Sequence, residues 1–376
     1  MEQTPINEDS PSVSKKAAMK QEKLSQLRRV SYNRRQWRTS ADGPRERWFT
    51  VQCVVTVQPS TVSRQMVNSV FEGFSEIHTP KLIAGSSEGD AADTLYYKGQ
   101  PACLTQSPQL HKQMAICAEF RVVFEMGPVY RGEDSNTHRH LCEFTGLDVE
   151  MEIDLHYSEV MDVVARLFVT IFGTLNKTCQ KELEAVGRQY PFEPLKYLPK
   201  TRRLTFEEGV QMLKDAGVEV DPMGDLNTEA KRKLGQLVLD KYGTEFYILH
   251  WYPLAIRPFY TMPCHYNSAY SNSFDVFIRG EEIISGAQRE HRPKLLEKIA
   301  QACGIELKTI STYIDAIRNG VTLHGGFGAG LERVVMLFLM GRKLHRHRSM
   351  PAKFAILAGY SRSAILFLQQ NLKNLV

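Results

Sequence analysis

Phe120-Arg-Val-Val-Phe-Glu-Met-Gly-Pro-Val-Tyr-Arg-Gly-Glu133 and Leu141-Cys-Glu-Phe-Thr-Gly-Leu-Asp-Val-Glu-Met-Glu-Ile153 decide the fold. Both runs are rich in Val, Phe, Tyr and Leu and alternate with polar residues, as half-buried strands do. Between them lies Asp134-Ser-Asn-Thr-His-Arg-His140, polar and turn-forming, so the pair reads as one long antiparallel hairpin. Residues two apart on a strand share a face. Arg131 and Glu133 therefore point together on the outgoing arm, and Phe144 and Asp148 on the return arm. One surface gains a cation, two carboxylates and an aromatic ring. Ligand binding and an internal salt bridge beside a core Phe are both open at this point.

Working outward, Val62 to Glu72 has helical periodicity, Gly73 stops it, and Phe74 to His78 reads as a short strand ended by Pro80. A helix is expected over Pro108 to Cys117. Residues 156 to 250 read as a mainly helical insertion: Ser158 to Asn176, Lys177 to Gln189, Thr205 to Ala216 and Thr228 to Lys241. Strands resume at Phe246 to Leu249, Ser273 to Arg279 and Glu282 to Gln288. Helices follow near Pro293 to Cys303 and Lys308 to Arg318, and Val321 to Met340 forms a last unit. Strands and helices come in runs, which predicts an α+β fold with a mostly antiparallel sheet flanked by helices.

The chain has 376 residues, 43% hydrophobic and 24% charged, a composition that excludes disorder along most of its length. No stretch reaches the ~18 apolar residues of a membrane span. The first ten residues carry Glu2, Glu8 and Asp9, too acidic for a signal or transit peptide, so a cytoplasmic protein without membrane contact is expected. Seven scattered cysteines with no C-x-x-C pair suggest neither a disulfide framework nor a structural zinc site. Residues 11–50 hold eleven Lys/Arg against three acids, and residues 341–376 hold seven against none, leaving the body acidic. A basic, flexible extension over 1–50 and an atypical basic tail over 341–376 are expected to flank a domain spanning 51–340. Basic ends suit a phosphate-rich partner, through counterion release, as well as plain solvation.

Gly325-Gly-Phe-Gly-Ala-Gly-Leu-Glu-Arg333 resembles a nucleotide-binding glycine loop only superficially. The dinucleotide fingerprint needs an acidic residue about 20 positions on, and no Asp or Glu follows Glu332. The phosphate-loop pattern needs Lys after its last glycine, where Leu331 stands. Glycines that admit close approach, followed by a helix near Leu331 with Arg333 in its first turn, instead call for an anion.

Together these segments resemble the class II aminoacyl-tRNA synthetases, and within them the aspartyl enzymes of the eukaryotic cytosolic and archaeal type. Phe71-Glu-Gly-Phe-Ser-Glu-Ile-His-Thr-Pro80 is similar to the first family motif, at a dimer interface ending in Pro80. Tyr130 to Phe144 is similar to the second, and Gly326 to Arg333 to the third. The resemblance covers roughly residues 62 to 340.

It implies catalysis by Arg131 and Arg333, which hold the α- and γ-phosphates of ATP. Glu133 takes the adenine amino group, Phe144 stacks under the ring, and His140, Glu282 and Gly330 complete the ATP site. Asp275, Glu282 and Ser285 match the Mg²⁺ site of the family, hard oxygen donors that suit the ion. L-aspartate is implied to bind Ser87, Gln109, Lys112, Asp148, Ser285 and Arg289, with Asp148 on its ammonium group and Lys112 and Arg289 around its carboxylates. Asp275 and Glu282, seven apart, need a turn near Gly280 to meet.

The implied reaction is formation of aspartyl-adenylate and transfer of the acyl group to tRNA(Asp), with Ser135 and Thr137 meeting the acceptor end. A homodimer is expected. Fewer than 65 residues precede the first motif, so the anticodon-binding barrel of the family is not expected in them. A paralogue passing the adenylate to ammonia or another small acceptor, and a non-catalytic dimerising or regulatory protein, are the alternatives.

Overall fold

The computed structural model describes residues 73–83, 94–97, 100–131, 141, 143–189 and 191–339. The expected helix over 62–72, the flanking segments 1–50 and 341–376, and Ser87, Glu133, Ser135, Thr137 and His140 lie outside the described residues.

The hairpin forms as expected. Strand β5 (Val122–Tyr130) pairs antiparallel with β6 (Glu143–Glu152), with Tyr130 opposite Glu143 and Val122 opposite Met151. It is the start of an eight-stranded sheet in the order β1-β5-β6-β11-β10-β9-β8-β7. Here β1 is Ser75–Glu76, β7 Arg202–Thr205, β8 Phe246–His250, β9 Ser273–Ile278, β10 Glu281–Gln288 and β11 His324–Gly330. The pairs β1–β5 and β7–β8 at the two edges are parallel, and every pair between them is antiparallel. A separate sheet runs β2-β4-β3, from Leu82–Ile83, Gln100–Leu104 and Thr94–Tyr97.

Alternation sends successive side chains to opposite faces. On one face Leu147, Val149, Phe274, Val276, Ile284 and Phe327 form the main core with helix α2 (Ser158–Thr178) and helix α8 (Leu331–Leu339). Helix α2 buries Val160, Val164, Leu167, Phe168, Phe172 and Leu175, an apolar stripe at helical spacing. The other face carries Asp148, Asp275 and Ser285 and is walled at both ends. At the β7 end, α4 (Phe206–Asp215) and α5 (Thr228–Tyr242) pack on Tyr247, Leu249 and Phe277. Opposite them, Phe259 and Tyr260 pack with α6 (Pro293–Ala302), α7 (Ser311–Arg318) and α1 (Gln109–Cys117). Helix α3 is Gln180–Gln189.

Capping chemistry sets the boundaries of α4 and α5. Thr205 and Glu208 form a reciprocal capping box on α4, Asn227 caps α5, and Gly243 ends α5 in the left-handed region at φ 70°. The stretch expected to be helical is interrupted by β7, whose only large apolar residue is Leu204. It forms as an edge strand because β8 offers a parallel partner, a non-local reason that periodicity does not carry.

At the end of β8, His250 Nδ1 and the Tyr157 hydroxyl share a 2.9 Å hydrogen bond. Burial, assisted by Arg203, lowers the imidazole from its ordinary 6.5 to about 4. Between those values the unfolded chain takes a proton that the folded one refuses, so stability falls as pH drops from 6.5 to 4. The full effect is at most about 3 kcal/mol at ~1.4 kcal/mol per unit. Urea unfolding from pH 7 to 4 should show a shallower acid loss for His250→Gln than for the parent. Parallel losses would refute this origin.

Candidate active site

Helix α1 buries Gln109, Lys112, Gln113 and Ile116, the i, i+3, i+4, i+7 face that an ordinary core helix fills with apolar groups. Three polar residues there need partners, since burying them unpaired is costly. Lys112 Nζ donates to Asp148 Oδ1 at 3.0 Å and to the Phe327 carbonyl at 2.9 Å, and lies 3.5 Å from Glu150 Oε2. Glu150 in turn pairs with Arg289, whose Nε and Nη2 donate to its two oxygens at 2.8 and 3.1 Å. Arg289 Nη2 also donates to Gln109 Oε1 at 3.3 Å, while Gln109 Nε2 is buried with no partner among the described residues. Behind them the Tyr313 hydroxyl donates to Gln113 Oε1 at 2.8 Å.

Gln109, Asp148 and Arg289, backed by the other members of this network, line a cavity of about 760 Å³, a size common for small-molecule sites. Of the residues anticipated from sequence, Gln109, Arg131, Phe144, Asp148, Glu282, Ser285, Arg289, Gly330 and Arg333 line it together. Lys112 sits beneath the lining, 1% exposed, and reaches the cavity through Asp148. Asp275 is likewise buried under Ser285, its cross-strand neighbour. Pro80 lies on the surface, in the segment after β1.

The glycines of β11 have a more specific reason than close approach of a ligand. Gly326 and Gly328 stand opposite Glu150 and Asp148. A Cβ on Gly326 would strike the Val149 carbonyl and the Glu150 carboxylate, and one on Gly328 would come within 3.0 Å of Asp148 Oδ1. At Gly326 and Gly328 the strand is bare so that the neighbouring strand's own carboxylates fit.

The turn required near Gly280 is present. Arg279 and Gly280 both have positive φ, 56° and 79°, as a two-residue hairpin turn demands. A bulge between Glu282 and Ile284 then inserts one residue. It puts Glu282 and Ser285, three apart, on the face shared with Asp275, where an unbroken strand would separate them. Arg257 Nη1 donates to Asp275 Oδ1 at 2.9 Å and to Ser285 Oγ at 3.1 Å. Lys231 Nζ lies 3.2 Å from Glu282 Oε2. Burial, reinforced by the Asp275 charge, raises the Glu282 carboxyl above its ordinary value.

At the opposite end, Arg131 follows β5, donates from Nε to the Gln106 carbonyl at 3.5 Å and lies 5.4 Å from the Phe144 ring centroid. Arg333, in the first turn of α8, donates to the Glu282 carbonyl at 3.1 Å. Glu332 beside it accepts from the Thr145 amide at 3.0 Å with both oxygens, which ties α8 to β6. The cavity thus has guanidinium groups at two stations and a buried acid–base floor between them. Glu150, Arg257, Lys231 and Gln113 were not anticipated. Glu150 alone had a signal, being two residues beyond Asp148 on the same strand face.

This sheet, with its glycine-bare third motif and arginine-lined cavity, defines a class II synthetase core. The family described as tRNA synthetases class II (D, K and N) matches residues 57–353, and the chain belongs to it. It is 75% identical over 269 residues to the cytoplasmic aspartate–tRNA ligase 2 of Arabidopsis thaliana, covering 71% of this chain and 48% of that protein. To the cytoplasmic aspartate–tRNA ligase 1 of the same plant it is 69% identical over 290 residues, 77% of this chain and 53% of the relative. Among solved structures, the aspartyl-tRNA synthetase from Entamoeba histolytica aligns with a TM-score of 0.69 at 46% identity, over 78% of this chain and 55% of that one. The chain spans about half the length of the curated relatives it matches.

Proposed function

We propose that the chain activates L-aspartate with ATP to aspartyl-adenylate and transfers the aspartyl group to tRNA(Asp), as the names of its relatives suggest for it. The observation that carries this reading is the placement of Arg289, Gln109 and Asp148 in the same cavity as Arg131 and Arg333. The first set suits a zwitterion with a second carboxylate; the second suits a triphosphate.

In the reaction, a carboxylate oxygen of aspartate attacks the α-phosphorus, the bond to the β-phosphate oxygen breaks, and pyrophosphate leaves. Arg131 steadies the α-phosphate and Arg333 the γ-phosphate, so that charge developing in flight meets fixed cations. Phe144, Glu133, His140 and Gly330 hold the adenine and phosphates. Asp148 takes the substrate ammonium, while Arg289 with Gln109 takes the side-chain carboxylate, and Ser87 and Ser285 complete that subsite. Ser135 and Thr137 meet the acceptor end.

The donor set fits a divalent cation. Among the described residues no group of three or more His, Cys, Asp or Glu side chains converges, but Asp275, Glu282 and Ser285 present hard oxygens on one face. Mg²⁺ commonly uses only one or two carboxylates, with phosphate oxygens and water as its other ligands. Bound there, Mg²⁺ would neutralise phosphate charge. A homodimer in the cytoplasm, with Pro80 at its interface, completes the reading; among the described residues no helix is long and apolar enough to cross a membrane.

Aspartate-dependent exchange of labelled pyrophosphate into ATP, followed by charging of total tRNA, tests the proposal. No exchange would refute activation, and exchange without charging would refute the transfer step. Lys112→Met supplies a sharper check of amino-acid choice. It removes the cation that neutralises Asp148 and Glu150 beneath an anionic substrate. The aspartate KM should rise about tenfold, ~1.4 kcal/mol, with the ATP KM nearly unchanged. Equal rises would overturn the assignment.

A further inference from the structure

Arg257 and Lys231 have no place in the synthetase motifs, yet each occupies one carboxylate of the candidate metal site. Arg257 follows the short 3₁₀ turn Leu254–Ile256 and lies over the Tyr252 ring, its guanidinium carbon 3.8 Å from the centroid. Its side chain is 9% exposed, and its Nε and Nη2 have no hydrogen-bond partner among the described residues. Nη1 therefore carries its polar contacts, to Asp275 and Ser285. Lys231, on α5, reaches Glu282 from the far wall and is shared with Asp225, 3.3 Å away on the solvent side. Arg333 adds positive charge at the Glu282 carbonyl. Two carboxylates are thus met by two cations before any ligand arrives.

We propose that Arg257 and Lys231 are resident counter-cations of the Asp275–Glu282 pair, so that a divalent ion enters only as its complex with a nucleoside triphosphate. This rests on the reading of Asp275 and Glu282 as metal ligands. A bare ion meets no net negative charge there. To take Asp275 Oδ1 it must displace Arg257 and leave a buried guanidinium without a charge partner, a costly arrangement. A metal–triphosphate complex is itself an anion. It brings phosphate oxygens that repay Lys231 and Arg333 and offset the positive charge the ion adds beside Arg257. Arg257 is then a positioning residue, holding Asp275 and Ser285 in place until the complex arrives.

Mn²⁺, followed by electron paramagnetic resonance on the full chain with and without a non-hydrolysable ATP analogue, tests this. In the parent protein, Mn²⁺ should bind at least about tenfold more tightly with the analogue than without it. R257M should raise nucleotide-free Mn²⁺ affinity by about tenfold or more, and R257K should restore nucleotide dependence. K231M, a change on a partly solvated helix face, should move affinity in the same direction even if R257M fails to fold, with circular dichroism reporting the fold. Equal Mn²⁺ affinity with and without analogue in the parent, or no gain in either folded variant, overturns the proposal. D275N separates the two levels. If it keeps the Mn²⁺–analogue complex, the ligand assignment itself has failed; if it loses the complex while R257M and K231M behave as the parent does, only the counter-cation role has failed.

Discussion

Arg131→Ala is expected to lower aspartate-dependent pyrophosphate exchange by about 10²- to 10³-fold, the usual cost of deleting one preorganised donor at a developing charge. The same variant should fold normally. Arg131 stands just beyond the end of β5, half-buried, with a long 3.5 Å bond to the Gln106 carbonyl and its guanidinium 5.4 Å from the Phe144 ring centroid. Gln106 and Phe144 both line the cavity, and under the proposed reaction the main loss falls on the reacting phosphate. Arg131→Lys should recover only part of the rate, because an ammonium group lacks the planar fork that grips two oxygens at once. Exchange rates set beside thermal unfolding decide the matter. An unchanged rate in Arg131→Ala would remove this residue from the chemistry, and a collapsed fold would show that its contacts are structural.

The parts of this fold that were legible are those whose cause is local. Alternation from Val122 to Tyr130 and from Glu143 to Glu152, with a polar turn between, specifies a hairpin with no reference to the rest of the chain. The bare strand His324–Gly330, followed at once by helix Leu331–Leu339, is likewise written in its own residues. What was not legible depends on partners. Strand β7, Arg202–Thr205, has a single large apolar residue and exists because β8 pairs with it. The bulge at Glu282–Ile284 breaks the period of two, so counting along the strand puts Glu282 and Ser285 on opposite faces. Arg257 and Lys231 come from a turn and a helix far from the motifs, and only folding brings them to the carboxylates. Glu150 was within reach of the same face argument that selected Asp148. What sequence did not provide was the knowledge that Gly326, on the adjoining strand, clears the space its carboxylate needs.

That carboxylate is the subject of the largest stability effect we expect: Glu150→Ala should cost about 3–5 kcal/mol, the range for breaking a buried ion pair from one side. Glu150 is fully buried between Arg289 and Lys112, which are 3% and 1% exposed. Burial by itself would raise its carboxyl, but Arg289 and then Lys112 outweigh that and hold it below the ordinary 4.5, so it is charged at neutral pH. A carboxylate of this kind contributes stability above its unfolded value and loses it as acid protonates the folded form. Removing it leaves two buried cations facing Asp148 alone. Glu150→Gln keeps the volume and some hydrogen bonding and should lose less. Because the uncompensated guanidinium lines the cavity at the proposed aspartate subsite, added L-aspartate should restore more stability to Glu150→Ala than it adds to the parent, by supplying the missing negative charge. Its KM for aspartate should still rise, since Arg289 is no longer oriented by two parallel bonds before the substrate arrives. Guanidinium unfolding with and without aspartate measures both quantities. A loss below ~1 kcal/mol, the scale of an exposed ion pair, would mean that the cluster is not held dry by the fold.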